Sequence, residues 1–187
     1  SPDPRMVLRP QEFRLHRSLR RTLHRFRATP GCEVRMDSDF SAVIRSCAQK
    51  PRAGQSGTWI VPAMVAAYEA LHAAGHAHSV ETWVDGRLVG GLYCVAFGRA
   101  VFGESMFAHA TDASKIALAA LVCLCRRGGV ELIDCQQNTG HLASLGAHEM
   151  PRAAFLQHVD EARTLPACNW RFESLYWDEL LTSNPAA

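Results

Sequence analysis

The sequence predicts an α+β fold, a mixed and mainly antiparallel sheet flanked by helices. Three observations predict it. Two strand-like runs, Ala77 to Val84 and Leu88 to Phe97, meet at Asp85-Gly86, the strongest hairpin signal in the chain. Gly98 then turns into a third run, Ala100 to Met106. A helix of about four turns follows, set between Thr111 or Asp112 and Gly128-Gly129, and VELIDC at 130–135 reads as a buried strand after it.

The remaining elements follow from local chemistry. Residues 1–10 hold three prolines and are expected to be extended. In residues 11–27, Leu15, Leu19, Leu23 and Phe26 recur at helical spacing among Arg and His, the pattern of a basic amphipathic helix or a turn-rich segment. Thr29-Pro30-Gly31 breaks it, and Cys32 to Met36 reads as a short strand. Asp37 or Ser38 is expected to cap a helix to about Ala48. Lys50 to Gly57 is the clearest loop. A helix from about Pro62 to Ala74 has Pro in its first turn and Gly75 as its stop. Leu142 to Gly146 suggests a helical turn, Pro151 opens a last helix to about Arg163, and the tail after Pro166 reads as irregular.

The chain has 187 residues, enough for one ordinary domain or one domain with a small appendage, and its 48% hydrophobic and 20% charged residues fit a globular protein. The longest nearly apolar run, Ile116 to Cys125, is too short to span a bilayer, and no charged-then-apolar leader is visible. Seven Cys sit mostly in apolar segments, which reads as reduced thiols. The formal net charge of +2 hides an imbalance: residues 1–27 carry a net +6 and the rest a net −4. Positive charge suits nucleic-acid phosphates. Arg17, Arg20, Arg21, Arg25 and Arg27 are the candidates for such contacts, with a solvated helix face as the plainer reading.

Three polar groups interrupt apolar strands: Glu104 in FGESMF, and Asp134 and Gln136 in LIDCQQ. Strand alternation would put Asp134 and Gln136 on one face and Cys135 on the other. A carboxylate in a buried strand is costly unless it is paired or faces a cleft, so structural and functional readings both stand. His76 and His78 with Cys123 and Cys125 suggest a metal site. However, residues two apart in a helix point about 200° apart, which argues against it. Cys135, beside Asp134 and six residues before His141, suggests a nucleophile, but the alternation makes an inert buried thiol the better reading. Leu92, Met106, Leu121, Cys125 and Ile133 are core by spacing, and some could line a pocket.

An antiparallel meander followed by a strand-helix-strand crossover resembles the GNAT acyltransferase layout, whose sheet splays between its central strands. GNAT enzymes that use acetyl-CoA hold its pyrophosphate on a Gly-rich turn after the third strand. This chain has AHATDASK there, which argues against CoA as donor. SPDPR at 1–5, SLRR at 18–21, GTWI at 57–60, GHAHSVETW at 75–83 and LVGGLY at 88–93 run in order along the chain. GESMF at 103–107, DASK at 112–115, LIDCQ at 132–136 and HLASLGAHEMPR at 141–152 continue the series. Together they resemble the leucyl/phenylalanyl-tRNA–protein transferases over nearly the whole length.

The resemblance implies a bacterial cytosolic, monomeric enzyme of the N-end rule pathway without cofactor or metal. Such an enzyme moves Leu, Phe or Met from aminoacyl-tRNA to proteins beginning with Arg or Lys. It divides the chain into a basic lead-in, residues 1–36, and a GNAT-like catalytic domain, residues 37–187. It gives Asp134 and Gln136 the attacking amine, Glu104 the acceptor, Leu92, Met106, Leu121, Cys125 and Ile133 the donor side chain, and Trp59 the terminal adenosine. Family members commonly carry aromatic residues at the positions of Leu121 and Cys125. The family also carries a smaller N-terminal domain before SPDPR, so a chain beginning at Ser1 is expected to be a fragment or a naturally short relative.

Ester aminolysis needs a neutral amine, and an α-amino group with pKa about 7.7–8.0 is about one-tenth neutral at pH 7. An ordinary Asp, near about pKa 3.9, is a poor base for the rest. Asp134 is therefore expected to orient the ammonium or polarise Gln136. Two other readings stay open: an acyl-CoA-dependent acyltransferase, and a tRNA- or peptide-binding module without catalysis.

Overall fold

The computed structural model describes residues 2–49 and 60–182. Seven strands form one sheet: β1 (Arg5–Leu8), β2 (Cys32–Met36), β3 (Ala77–Val84), β4 (Arg87–Phe97), β5 (Ala100–Ala108), β6 (Ile133–Gln136) and β7 (His148–Met150). Their order is β2-β3-β4-β5-β6-β1-β7. Every neighbouring pair is antiparallel except β5 and β6. The expected α+β class with a mixed, mainly antiparallel sheet is what forms. The helices are α1 (Arg17–Ala28), α2 (Phe40–Gln49), α3 (Pro62–Ala73), α4 (Ala113–Gly128), α5 (Gly140–Ser144), α6 (Arg152–Ala162) and α7 (Asp178–Leu181).

The β3–β4 turn forms where Asp-Gly stands, with φ of 50° at Asp85 and 72° at Gly86, the two positive values this hairpin turn demands. Along β4 the side chains alternate. Leu92, Cys94 and Ala96 enter the core under α4, while Tyr93 and Val95 enter the one under α2 and α3. Helix α4 is apolar nearly all round after its first turn and buried from Ile116 to Cys125, as expected of a helix covered by the sheet on one side and by α1 and the C-terminal segment on the other. A third, smaller cluster joins Val7 and Leu132 to Phe155 of α6.

Several expectations are corrected. The first ten residues are more than an extended arm: β1 inserts between β6 and β7, and Met6 and Leu8 pack in the α4 core. The cap of α2 is Asp39, whose Oδ1 accepts the Ala42 N–H at 3.0 Å. Asp112 does precede α4, but in a left-handed conformation, and its carboxylate takes Lys115 Nζ at 2.9 Å and the Thr22 hydroxyl at 3.4 Å. The tail after Pro166 is not wholly irregular, because Ser174–Trp177 forms a 3-10 turn that leads into α7.

The GHAHSVETW stretch is architectural. Glu81 is fully buried on β3. Its Oε1 accepts the Ser38 N–H at 3.0 Å, the Asp39 N–H at 2.8 Å and the Ser79 hydroxyl at 2.7 Å, and its Oε2 accepts the Trp83 indole N–H at 2.8 Å. A buried carboxylate with four donors is satisfied, and it fixes the start of α2 against β3.

Candidate functional site

The site begins with a parting of two strands. β5 and β6 pair only at Val101–Ile133 and Phe102–Asp134. Beyond those pairs they diverge, and a cleft of about 720 Å³ opens between them. Gly103, Glu104, Ser105 and Met106 line one wall, and Cys135, Gln136 and Gln137 the other. Leu92, Leu118, Leu121 and Ile133 form an apolar floor on the α4 side, whereas Tyr93 comes from the core under α2 and α3.

Both walls carry a bulge. On β5, Tyr93 faces Ser105 and Cys94 faces Gly103, so Glu104 is the extra residue. On β6, Met6 faces Gln136 and Val7 faces Asp134, so Cys135 is the extra residue. Bulges re-aim side chains and break pairing, which is what a cleft cut into a sheet requires.

Glu104 receives the Tyr68 hydroxyl from α3 at 3.0 Å. Burial raises its carboxyl pKa, while hydrogen bonds from Tyr68 and Gln136 pull it back toward the ionised form. Tyr68 is itself pushed up, first by burial and then by the Glu104 charge, so it stays a donor.

Gln136 has φ of 64°, and the Gln137 N–H bonds to the Cys135 carbonyl at 2.7 Å across it, a strained γ-turn. Left-handed backbone at a residue other than Gly costs roughly 1–2 kcal/mol. Side-chain bonds hold it there. Asp134 Oδ1 accepts the Gln136 backbone N–H at 2.9 Å, and Gln136 Nε2 donates to the Gly103 carbonyl at 3.1 Å. The amide nitrogen of Gln136 is thus turned to Gly103 and Glu104, and the residue lines the cleft.

The positive φ also corrects the expected facing. Asp134 and Gln136 do not share a side: Gln136 lines the cleft, while Asp134 sits beyond it beside Phe155 and Val159. Asp134 is 1% exposed, and Arg5 grips it with Nε–Oδ1 at 3.1 Å and a terminal nitrogen to Oδ2 at 2.6 Å. Sequence reasoning missed Arg5 and Tyr68; the only trace of Arg5 was its place in SPDPR.

The other candidates fall out as follows. Leu92, Met106, Leu121 and Ile133 line the cleft, but Cys125 does not, because it lies one turn past Leu121 in the closed core. Cys135 lines it as well, with a thiol pushed up to about 12 by burial and the Asp134 charge, so it is held protonated. Trp59 lies outside the described residues. His78 gives Nδ1 to Asp37 at 2.7 Å and stacks on Trp170, while His76 packs on Phe97. Among the described residues, no group of three or more His, Cys, Asp or Glu could hold a metal ion.

On α1, Leu19, Leu23 and Phe26 are buried, Arg20 is half-buried and the other four arginines are exposed. Two of the five candidates have protein partners. Arg20 donates to the Leu180 and Leu181 carbonyls at 3.2 and 3.5 Å, and Arg27 pairs with Asp178 at 2.7 Å. Arg17, Arg21 and Arg25 are exposed at every fourth position along one side.

A family profile described as leucyl/phenylalanyl-tRNA protein transferase matches residues 7–160. The chain belongs to that family. Its relatives include a leucyl/phenylalanyl-tRNA–protein transferase of Polaromonas sp., 62% identical over 98% of this chain and 72% of the relative. One of Methylibium petroleiphilum is 60% identical over 96% of this chain and 68% of the relative. Among solved structures, a conserved protein of unknown function from Staphylococcus epidermidis overlaps 79% of this chain and 57% of its own at 7% identity. Its TM-score of 0.44 is too low to carry an argument. For a leucyl/phenylalanyl-tRNA–protein transferase, the cleft brings Glu104, Gln136 and the apolar floor into one cavity. Asp134 stands behind it, buried. No helix among the described residues is long and apolar enough to cross a membrane.

Proposed function

We propose that this chain transfers Leu, Phe or Met from aminoacyl-tRNA to the α-amino group of proteins beginning with Arg or Lys, in the cytoplasm and without a cofactor. The observation that carries the reading is the cleft itself, which brings an apolar floor, the Glu104 carboxylate and the Gln136 amide together in one cavity. The β3–β5 meander, the parallel step through α4 to β6 and the splay beside it support a GNAT-like acyltransferase. The α4 N-terminus carries Asp112 and no Gly-rich turn, which favours a tRNA ester over an acyl-CoA.

In this reading the donor side chain rests on Leu92, Met106, Leu121 and Ile133. The acceptor's cationic side chain faces Glu104. Its neutral α-amino group donates to Gln136 Oε1, which holds the nitrogen lone pair toward the ester carbonyl; as the C–N bond forms the ester C–O bond breaks, and the proton lost by the nitrogen ends on the departing tRNA hydroxyl oxygen. Asp134 keeps Gln136 in place and remains away from the reacting atoms. Arg17, Arg21 and Arg25 form a charged row for the tRNA backbone. Residues 1–36 supply that row together with β1 and β2, so lead-in and catalytic domain would work as one unit.

The test is transfer of labelled Leu from charged tRNA to matched peptides beginning with Arg or with Glu. Label on the Arg peptide alone is expected. Label on neither, or on both alike, would refute the reading.

A further inference from the structure

We propose that Arg5 is a positioning residue for the transfer reaction, acting through Asp134 on Gln136. The proposal rests on the role given to Gln136 above. Arg5 belongs to SPDPR and is not one of the residues that line the cleft. Yet its guanidinium begins a chain of contacts that ends in the cleft. Nε and one terminal nitrogen make two parallel bonds to Asp134, at 3.1 and 2.6 Å. Asp134 Oδ1 then holds the Gln136 N–H at 2.9 Å, and Gln136 Nε2 holds the Gly103 carbonyl at 3.1 Å on the opposite wall.

Geometry gives each link a task. Gln136 stands in a left-handed turn that its backbone does not favour, and side-chain bonds hold it there. A carboxylate left alone could rotate about its Cβ–Cγ bond and release the Gln136 N–H. The fork of Arg5 fixes the plane of the carboxylate, which a point charge would not do. Arg5 is itself held: its strand is paired on both sides, by β6 and by β7, and its guanidinium lies over the Phe155 ring at 5.3 Å. The three residues form a brace from the strand inserted in the sheet to the acceptor atom in the cleft.

The test is a double-mutant cycle on the full chain, using Arg5→Lys, Gln136→Ala and the two combined. Arg5→Lys keeps the positive charge that the buried Asp134 needs but loses the fork. Transfer of labelled Leu from charged tRNA to a peptide beginning with Arg is measured, with melting temperature followed in parallel. Arg5→Lys is expected to lower kcat on the order of ten- to a hundredfold, as misplacement of a reacting group does, and to leave KM for peptide and tRNA within about twofold. In the Gln136→Ala background the same replacement is expected to cost nothing further. A wild-type kcat in Arg5→Lys overturns the proposal. So does a loss of equal factor in both backgrounds, the mark of a structural role. Wild-type transfer by Gln136→Ala would instead refute the role of Gln136, a failure read from that variant alone.

Discussion

Tyr68 donates its hydroxyl proton to Glu104 at 3.0 Å, tying α3 to the bulged residue of β5 in the cleft wall. The bond favours the ionised carboxylate that a cationic acceptor needs, against the burial that disfavours it. Tyr68→Phe removes it. A hydrogen bond to a charged group contributes about 1.5–3 kcal/mol, so KM for an Arg peptide is expected to rise about tenfold or more. The pH dependence has a fixed sign. Acceptor binding is present above the Glu104 pKa and lost as pH falls through it. Tyr68→Phe raises that pKa further, so the acidic limb of kcat/KM moves to higher pH. An unmoved limb would show that Glu104 does not bind the acceptor.

Asp134 has both oxygens occupied and stands behind the cleft, a poor place for a general base. Asp134→Asn is therefore expected to lose transfer by the same factor at pH 7 and pH 9. Recovery at pH 9, where the amine deprotonates unaided, would restore the general-base role.

The five arginines of α1 separate into two groups. Replacing Arg17, Arg21 and Arg25 by Ala is expected to weaken tRNA binding and flatten its dependence on log salt by roughly two to three units of slope. Replacing Arg20 is expected to leave the slope alone. Its lost bonds to the Leu180 and Leu181 carbonyls should lower the melting temperature by about 2–4 °C. An identical salt slope in the triple variant would contradict the assignment.

Glu81→Ala leaves four donors, the buried Ser79 hydroxyl among them, without their acceptor. A stability loss of at least about 3 kcal/mol is expected. It should appear as a lower urea midpoint with unchanged slope. A loss under about 1 kcal/mol would mean that water replaces the carboxylate.

The parts legible in the sequence are those that local chemistry decides. Asp85-Gly86 sets its hairpin turn, and Pro62 and Gly75 bracket α3. Glu104, Asp134 and Gln136 stood out because polar groups in apolar strands need a reason. What stayed hidden depends on distant partners. Nothing near residues 5–8 announces that β6 and β7 will pair with them, and nothing near Asp134 names Arg5, 129 positions away. The alternation rule misplaced Asp134 because it assumes regular strand backbone, and Gln136 is left-handed. The same irregularity that defeats the rule turns Gln136 into the cleft. The resemblance puts Cys125 beside Leu121 in the donor pocket, whereas its spacing marks it as core, and it lies in the closed core one turn past the cleft.

The central claim is that this cleft joins an amino acid carried by tRNA to a cationic N-terminus. Mass spectrometry of a peptide beginning with Arg, after incubation with the chain and leucyl-tRNA, tests it most directly. The predicted result is one added Leu, located by fragmentation on the α-amino group and absent when the peptide begins with Glu. An unmodified Arg peptide, or Leu placed elsewhere on it, would contradict the account.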